Sequence, residues 1–90
     1  AKRCGVMLIA QIGAALGGDF SRVERIVKLG VFVNSTPDFT DQPQVANGAS
    51  ELMEAVFGAN GKHARSAVGV AVLPRGAAVE IDAIVAVRPA

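Results

Sequence analysis

The sequence predicts an α+β domain, a mixed sheet with two helices on one face. Three observations lead there. Hydrophobic periodicity gives the order helix, strand, helix, strand, strand. A strand–helix–strand step implies a parallel pair joined by a right-handed crossover. The last two strands are separated by the turn Pro74-Arg75-Gly76, so the final strand runs antiparallel to its predecessor.

Lys2 to Leu16 reads as the first helix, with Cys4, Leu8, Ile12, Ala15 and Leu16 as its apolar stripe and Gln11 on the opposite side. Gly17-Gly18 supplies the stop. Gly5 and Gly13 each weaken the helix by roughly 1 kcal/mol relative to Ala, but permit the close approach expected of a helix laid on a sheet. After a short turn at Arg22-Val23-Glu24, Arg25 to Asn34 reads as a strand. Val27, Leu29, Val31 and Val33 are its core face, and Ile26, Lys28, Gly30, Phe32 and Asn34 the other.

Ser35-Thr36-Pro37-Asp38 is a loop. A second helix follows from about Asp41 to Phe57, capped by Thr40 or Asp41, with Pro43 in its first turn and Gly58 at its end. Val45, Ala49, Leu52 and Val56 form the expected core stripe, and Glu51 and Glu54 face solvent. The polar loop Ala59-Asn60-Gly61-Lys62 leads to the strands Ser66–Leu73 and Ala78–Val87. The last is apolar on both faces near its end, which predicts a central position. The uncovered sheet face would need an additional N-terminal strand or a second subunit.

The 90 residues make one domain. Hydrophobic residues make up 51% and mean hydropathy is +0.41, more than one small core requires, which points to a buried subunit interface. No stretch reaches the roughly 18 uninterrupted apolar residues of a membrane span. Nine Lys plus Arg against eight Asp plus Glu, scattered without a basic block, argue against nucleic acid as a partner. A single cysteine, Cys4, excludes an internal disulfide and suits a reducing cytoplasm. The start, Ala1-Lys2-Arg3-Cys4-Gly5, has neither the apolar core of a targeting segment nor a helix-capping residue. The chain therefore reads as beginning inside a helix, with further chain expected ahead of it.

Arg65 opens the apolar run Ala67–Leu73, and Glu80 and Asp82 are the only charges in the returning run Ala77–Val87. Buried charges cost several kcal/mol unless paired. Arg65 is either a clamp for a small carboxylate, which its planar fork matches, or one half of an ion pair with Glu80, Asp82 or Glu51. Glu80 and Asp82 share a strand face about 7 Å apart and serve either acid–base work or a solvated strip. His63 reads as a solvated loop residue, since one histidine and one cysteine make no zinc site. Cys4 reads as core filler. Ser66 lacks the context of a nucleophilic serine, and Gly13–Gly18 follows a helix rather than a strand, so it is no phosphate loop.

Ala64-Arg65-Ser66-Ala67-Val68-Gly69-Val70, then Leu73-Pro74, then Val79-Glu80-Ile81-Asp82-Ala83-Ile84 resembles the signature of the RidA/YjgF family, which includes the endoribonuclease L-PSP-like proteins. The strand around Lys28-Leu29-Gly30-Val31-Phe32-Val33, the loop Thr36-Pro37-Asp38-Phe39 and the second helix extend the resemblance over nearly all of the chain. It implies a chorismate-mutase-like α+β fold assembled as a homotrimer around a sheet barrel, with ligand clefts between subunits. It also implies hydrolytic deamination of small 2-imino or enamine acids without a cofactor. Arg65 would then hold the substrate carboxylate, Glu80 would direct the attacking water, and Asn47 matches an asparagine of the cleft. Three departures are evident. The family's N-terminal β-hairpin is not present in this chain, Ala67 stands where deaminases commonly carry cysteine, and Gly69 stands where many members carry an acid. The last two mark a divergent branch, for which a non-enzymatic trimeric ligand-binding or interaction protein is the alternative and a ribonuclease a third.

Overall fold

The segment beginning at Val23 becomes the middle of a three-stranded sheet. The computed structural model describes residues 2–89. Helix α1 spans Lys2–Ala15, strand β1 Val23–Asn34, helix α2 Gln42–Phe57, strand β2 Ala64–Val70 and strand β3 Val79–Val87, with short 3-10 turns at Phe20–Arg22, Gly58–Gly61 and Pro74–Gly76. The sheet order is β2-β1-β3. β1 runs parallel to β2, from Lys28 opposite Ala64 to Asn34 opposite Val70, and antiparallel to β3, from Val23 opposite Val87 to Val33 opposite Val79. The expected α+β class, mixed sheet and helices on one face are all present.

Three expectations are corrected. β1, not β3, is the central strand, and β3 borders only β1 among the described residues. β3 exposes Glu80, Asp82 and Ile84 on one face, and desolvating those carboxylates would offset the apolar gain.

The core face of β1 is also shifted. Register slips beside Glu24 and Val27 each insert a residue, so burial passes from Val23 to Ile26 to Leu29 before regular alternation resumes at Val31 and Val33. Ile26, not Val27, therefore enters the core.

The helix stripes are rotated as well. α2 buries Ala46, Ala49 and Met53, while Val56 is exposed; small side chains let the helix sit close to the sheet. α1 packs Leu8, Ile9 and Ile12 on the core, joined by Leu16 just past its end, with Ala15 exposed. Gly5 gives close approach to Ala49 and Leu52 of α2 rather than to the sheet, and Gly13 receives the ring of Phe20.

The helix ends follow the sequence signals. Gly17 and Gly18 take φ of 63° and 86°, and Gly18 N–H donates to Gly13 O at 2.7 Å, closing α1 in the left-handed turn that glycine favours. Asp41 occupies the cap position of α2 without a side-chain capping bond.

In the loop between β1 and α2 the Thr36 side chain bonds the Asp38 carboxylate, which with a backbone hydrogen bond at Asp38 lowers that pKa below its ordinary value. A depressed carboxylate pKa adds stability above the unfolded value that is lost as pH falls through the folded one. Thr36→Val should raise the Asp38 pKa, read by carboxyl NMR titration. An unmoved titration would remove Thr36 as the cause.

Candidate functional site

Directly opposed residues on neighbouring strands share a face. Arg65 lies opposite Leu29, which is completely buried under the helices, so the arginine points to the helix-covered side. There α2 presents Asn47 and Ser50, three residues apart and hence on one helix face. Arg65 Nη1 donates to Asn47 Oδ1 at 2.8 Å and to Ser50 Oγ at 3.1 Å. These neutral groups, not the carboxylates of Glu80, Asp82 or Glu51, are its hydrogen-bond partners among the described residues. The guanidinium is thus oriented without its charge being cancelled, the condition a carboxylate clamp requires.

His63 precedes Arg65 by two residues and turns to the same side. Its Nδ1 lies 2.6 Å from Gly61 O and its Nε2 lies 2.9 Å from Ser50 Oγ. A carbonyl only accepts, so Nδ1 carries a proton. In the neutral ring Nε2 is then the acceptor, and the Ser50 hydroxyl, already accepting from Arg65, donates to it. Histidine 15N shifts should report the Nδ1–H tautomer; an Nε2–H tautomer would contradict this assignment. The expectation of a solvated loop histidine is corrected: His63 is half-buried and doubly bonded, because the 3-10 turn at Gly58–Gly61 folds back under it. Its signal lay in two spacings, Asn47-x-x-Ser50 at helical period and His63-x-Arg65 at strand period.

Ser50, Glu54, Lys62, His63 and Arg65 line an open cavity of about 390 Å³. Two cations and one carboxylate border it, which favours an anionic occupant. The turn beneath it depends on Gly61, where an added Cβ would strike the backbone of Met53 and Glu54. Gly61→Ala should therefore destabilise the protein by about 1–3 kcal/mol and disturb the His63 anchor. Chemical denaturation with histidine NMR would show both effects, and unchanged stability would refute the close packing.

Glu80 stands elsewhere. It is opposite Phe32 on the face not covered by helices, and on the far edge strand from Arg65. It also borders a groove of about 180 Å³ with Cys4, Met7 and Leu8 of α1. One chain therefore brings Arg65 and Asn47 together but not Glu80. Asp82, two residues on, lies over Gly30, whose missing side chain makes its room. Cys4 is half-buried and its thiol donates to Val79 O at 3.6 Å, close to the filler role expected. Gly69 is overlain by Ser35 and Gln42, so an acidic side chain in its place would displace that loop.

A further cavity of about 260 Å³, between the Ser35–Phe39 loop and the end of β2, has no charged side chain in its lining. Among the described residues no three His, Cys, Asp or Glu side chains converge to hold a metal ion. No helix among the described residues is long and apolar enough to cross a membrane.

Fold and site define an α+β protein with an arginine-centred pocket between a parallel strand pair and its crossover helix. The chain belongs to the endoribonuclease L-PSP family, whose model matches residues 6–87; this is the RidA/YjgF grouping that the C-terminal motifs resembled. It is 60% identical over 86 residues to protein TCP17 of Trypanosoma cruzi, a match covering 94% of this chain and 53% of that protein. The structure of Atu1372 from Agrobacterium tumefaciens, a protein of unknown function, superposes with a TM-score of 0.95 at 51% identity over 98% of this chain and 56% of that one. A candidate endoribonuclease from Shewanella oneidensis gives 0.80 at 28% identity, covering 86% of this chain and 50% of its own. The chain thus spans about half the length of these relatives.

Proposed function

We propose that the protein is a RidA-type hydrolytic deaminase of small 2-imino or enamine acids, working without a cofactor in clefts formed by a homotrimer. The observation that carries this reading is Arg65, held by neutral partners beside an open cavity. Its fork would take the substrate carboxylate and place the imine carbon for attack. A carboxylate in the role given to Glu80 would orient the water, and collapse of the resulting carbinolamine would release ammonia and leave the 2-oxo acid. Because Glu80 and Arg65 lie on opposite sheet faces in one chain, the reading requires assembly to complete the site. The uncovered face, with Phe32, Val68 and Ile84, supplies apolar surface for that assembly; Ile84 is 61% exposed and Val68 45%. The free Cys4 suits a cytoplasmic setting.

Ammonia release from freshly generated 2-iminopropanoate tests the activity, and sedimentation tests the trimer. Glu80→Gln should lower turnover by about 100-fold or more while leaving ligand binding intact. Equal turnover in the variant would remove Glu80 from the chemistry.

The separation of Glu80 from Arg65 favours one alternative, a ligand-binding or interaction protein of the same family with no turnover. Small carboxylates would then raise the melting temperature through Arg65 without ammonia release. RNA is not proposed as substrate despite the family's description, because nine cations against eight anions are spread without a basic stripe.

A further inference from the structure

The hydrogen-bond chain behind Arg65 has a direction, and that direction matters chemically. Gly61 O holds the His63 Nδ1 proton. This leaves Nε2 as the base facing Ser50 Oγ at 2.9 Å, while Arg65 Nη1 donates to the same oxygen at 3.1 Å. A hydroxyl, a base within hydrogen-bond reach and a third group orienting the base are the parts of an activated nucleophile. Here a backbone carbonyl is the orienting group. The adjacent guanidinium favours the alkoxide over the hydroxyl electrostatically. Ser50 and His63 both line the open cavity with Lys62 and Arg65, so a small molecule can reach the oxygen.

We infer that Ser50 is a nucleophile activated by His63, and that the pocket accepts small acyl compounds bearing a carboxylate, such as a half-ester of a dicarboxylic acid. Ser50 Oγ forms a bond to the acyl carbon as its proton passes to His63 Nε2. The carbon–oxygen bond to the leaving alcohol breaks, and the alcohol takes that proton. Water then attacks the acyl-serine and gives a proton to Nε2, and Oγ recovers it as the acid departs. No oxidant or reductant is needed. The cations Lys62 and Arg65 hold the distal carboxylate, and Glu54 on the same wall disfavours doubly charged acids.

The test uses the full-length protein with two probes, a fluorophosphonate and 4-nitrophenyl hydrogen succinate. Neither probe is an imine, so the result is independent of the deaminase reading. Mass mapping should find one fluorophosphonate equivalent on Ser50 of the wild type, and none at that position in Ser50→Ala. His63→Asn should slow labelling and ester hydrolysis by about 100-fold or more. A wild type that shows no adduct on Ser50 overturns the inference without recourse to any variant. Labelling at Ser50 that is as fast in His63→Asn as in wild type overturns the role of the histidine. Ester hydrolysis that survives Ser50→Ala removes the serine from the reaction.

Discussion

Arg65→Ala should cost deamination about two to three orders of magnitude in kcat/KM. A charge-assisted hydrogen bond is worth about 1.5–3 kcal/mol, and the fork loses up to two of them to the substrate carboxylate. Each 1.4 kcal/mol is a factor of about ten. Most of the loss should fall on KM, because the carboxylate is held in ground and transition states alike. Arg65→Lys should recover only part of it, since an ammonium supplies a point charge but no planar fork. The fold should survive, because Arg65 is half-buried at a cavity wall and belongs to neither core cluster. Steady-state ammonia release beside thermal melts separates the two effects. If the wild type turns over imines and Arg65→Ala does so equally well, the clamp is wrong.

Leu29→Ala should be the most destabilising single truncation in the sheet. Leu29 is completely buried, sits at the middle of the central strand, and belongs to the cluster that unites Val23, Ile26, Ala49 and Met53 with residues of α1 and β3. Cavity formation there should cost about 3 kcal/mol, within the roughly 2–5 kcal/mol range of such changes. In a domain of this size that lowers the melting temperature by roughly 10 °C or more. Val72→Ser, in the exposed turn region where Val72 is 74% exposed, should change stability by less than about 0.5 kcal/mol. Urea denaturation of both variants checks the contrast. Comparable losses in the two would show that the core does not centre on Leu29.

Leu29 also faces Arg65 across the β1–β2 pair, so the same truncation loosens the strand that aims the guanidinium. A fall in imine turnover beyond that explained by unfolding would expose the link between core and pocket.

The elements themselves were readable because their signals are local. Gly17-Gly18, Pro43 and Gly58 punctuate the helices, and the turn at Pro74-Arg75-Gly76 divides the last two strands. The parallel pairing followed from the crossover helix. Faces were less readable. Two inserted residues in β1 turn the alternation around Ile26 and Val27, and the cause is pairing with β3, which periodicity within one strand does not record. α2 is rotated toward Ala46, Ala49 and Met53 because fit to the sheet outweighs side-chain size.

The site divides in the same way. Arg65 and Asn47 were singled out through the family resemblance, and the structure joins them at 2.8 Å. His63 was misjudged because its partners, Ser50 and the Gly61 carbonyl, are brought to it by the end of α2 and the turn that follows. The order of helices and strands, the family and the arginine at the head of β2 are written in residue types at short spacings. Which face each residue serves is settled in the folded chain, which separates Glu80 from Arg65 and places Ser50 between a cation and a base. Register and helix rotation are set by packing between distant segments, and no local spacing encodes them.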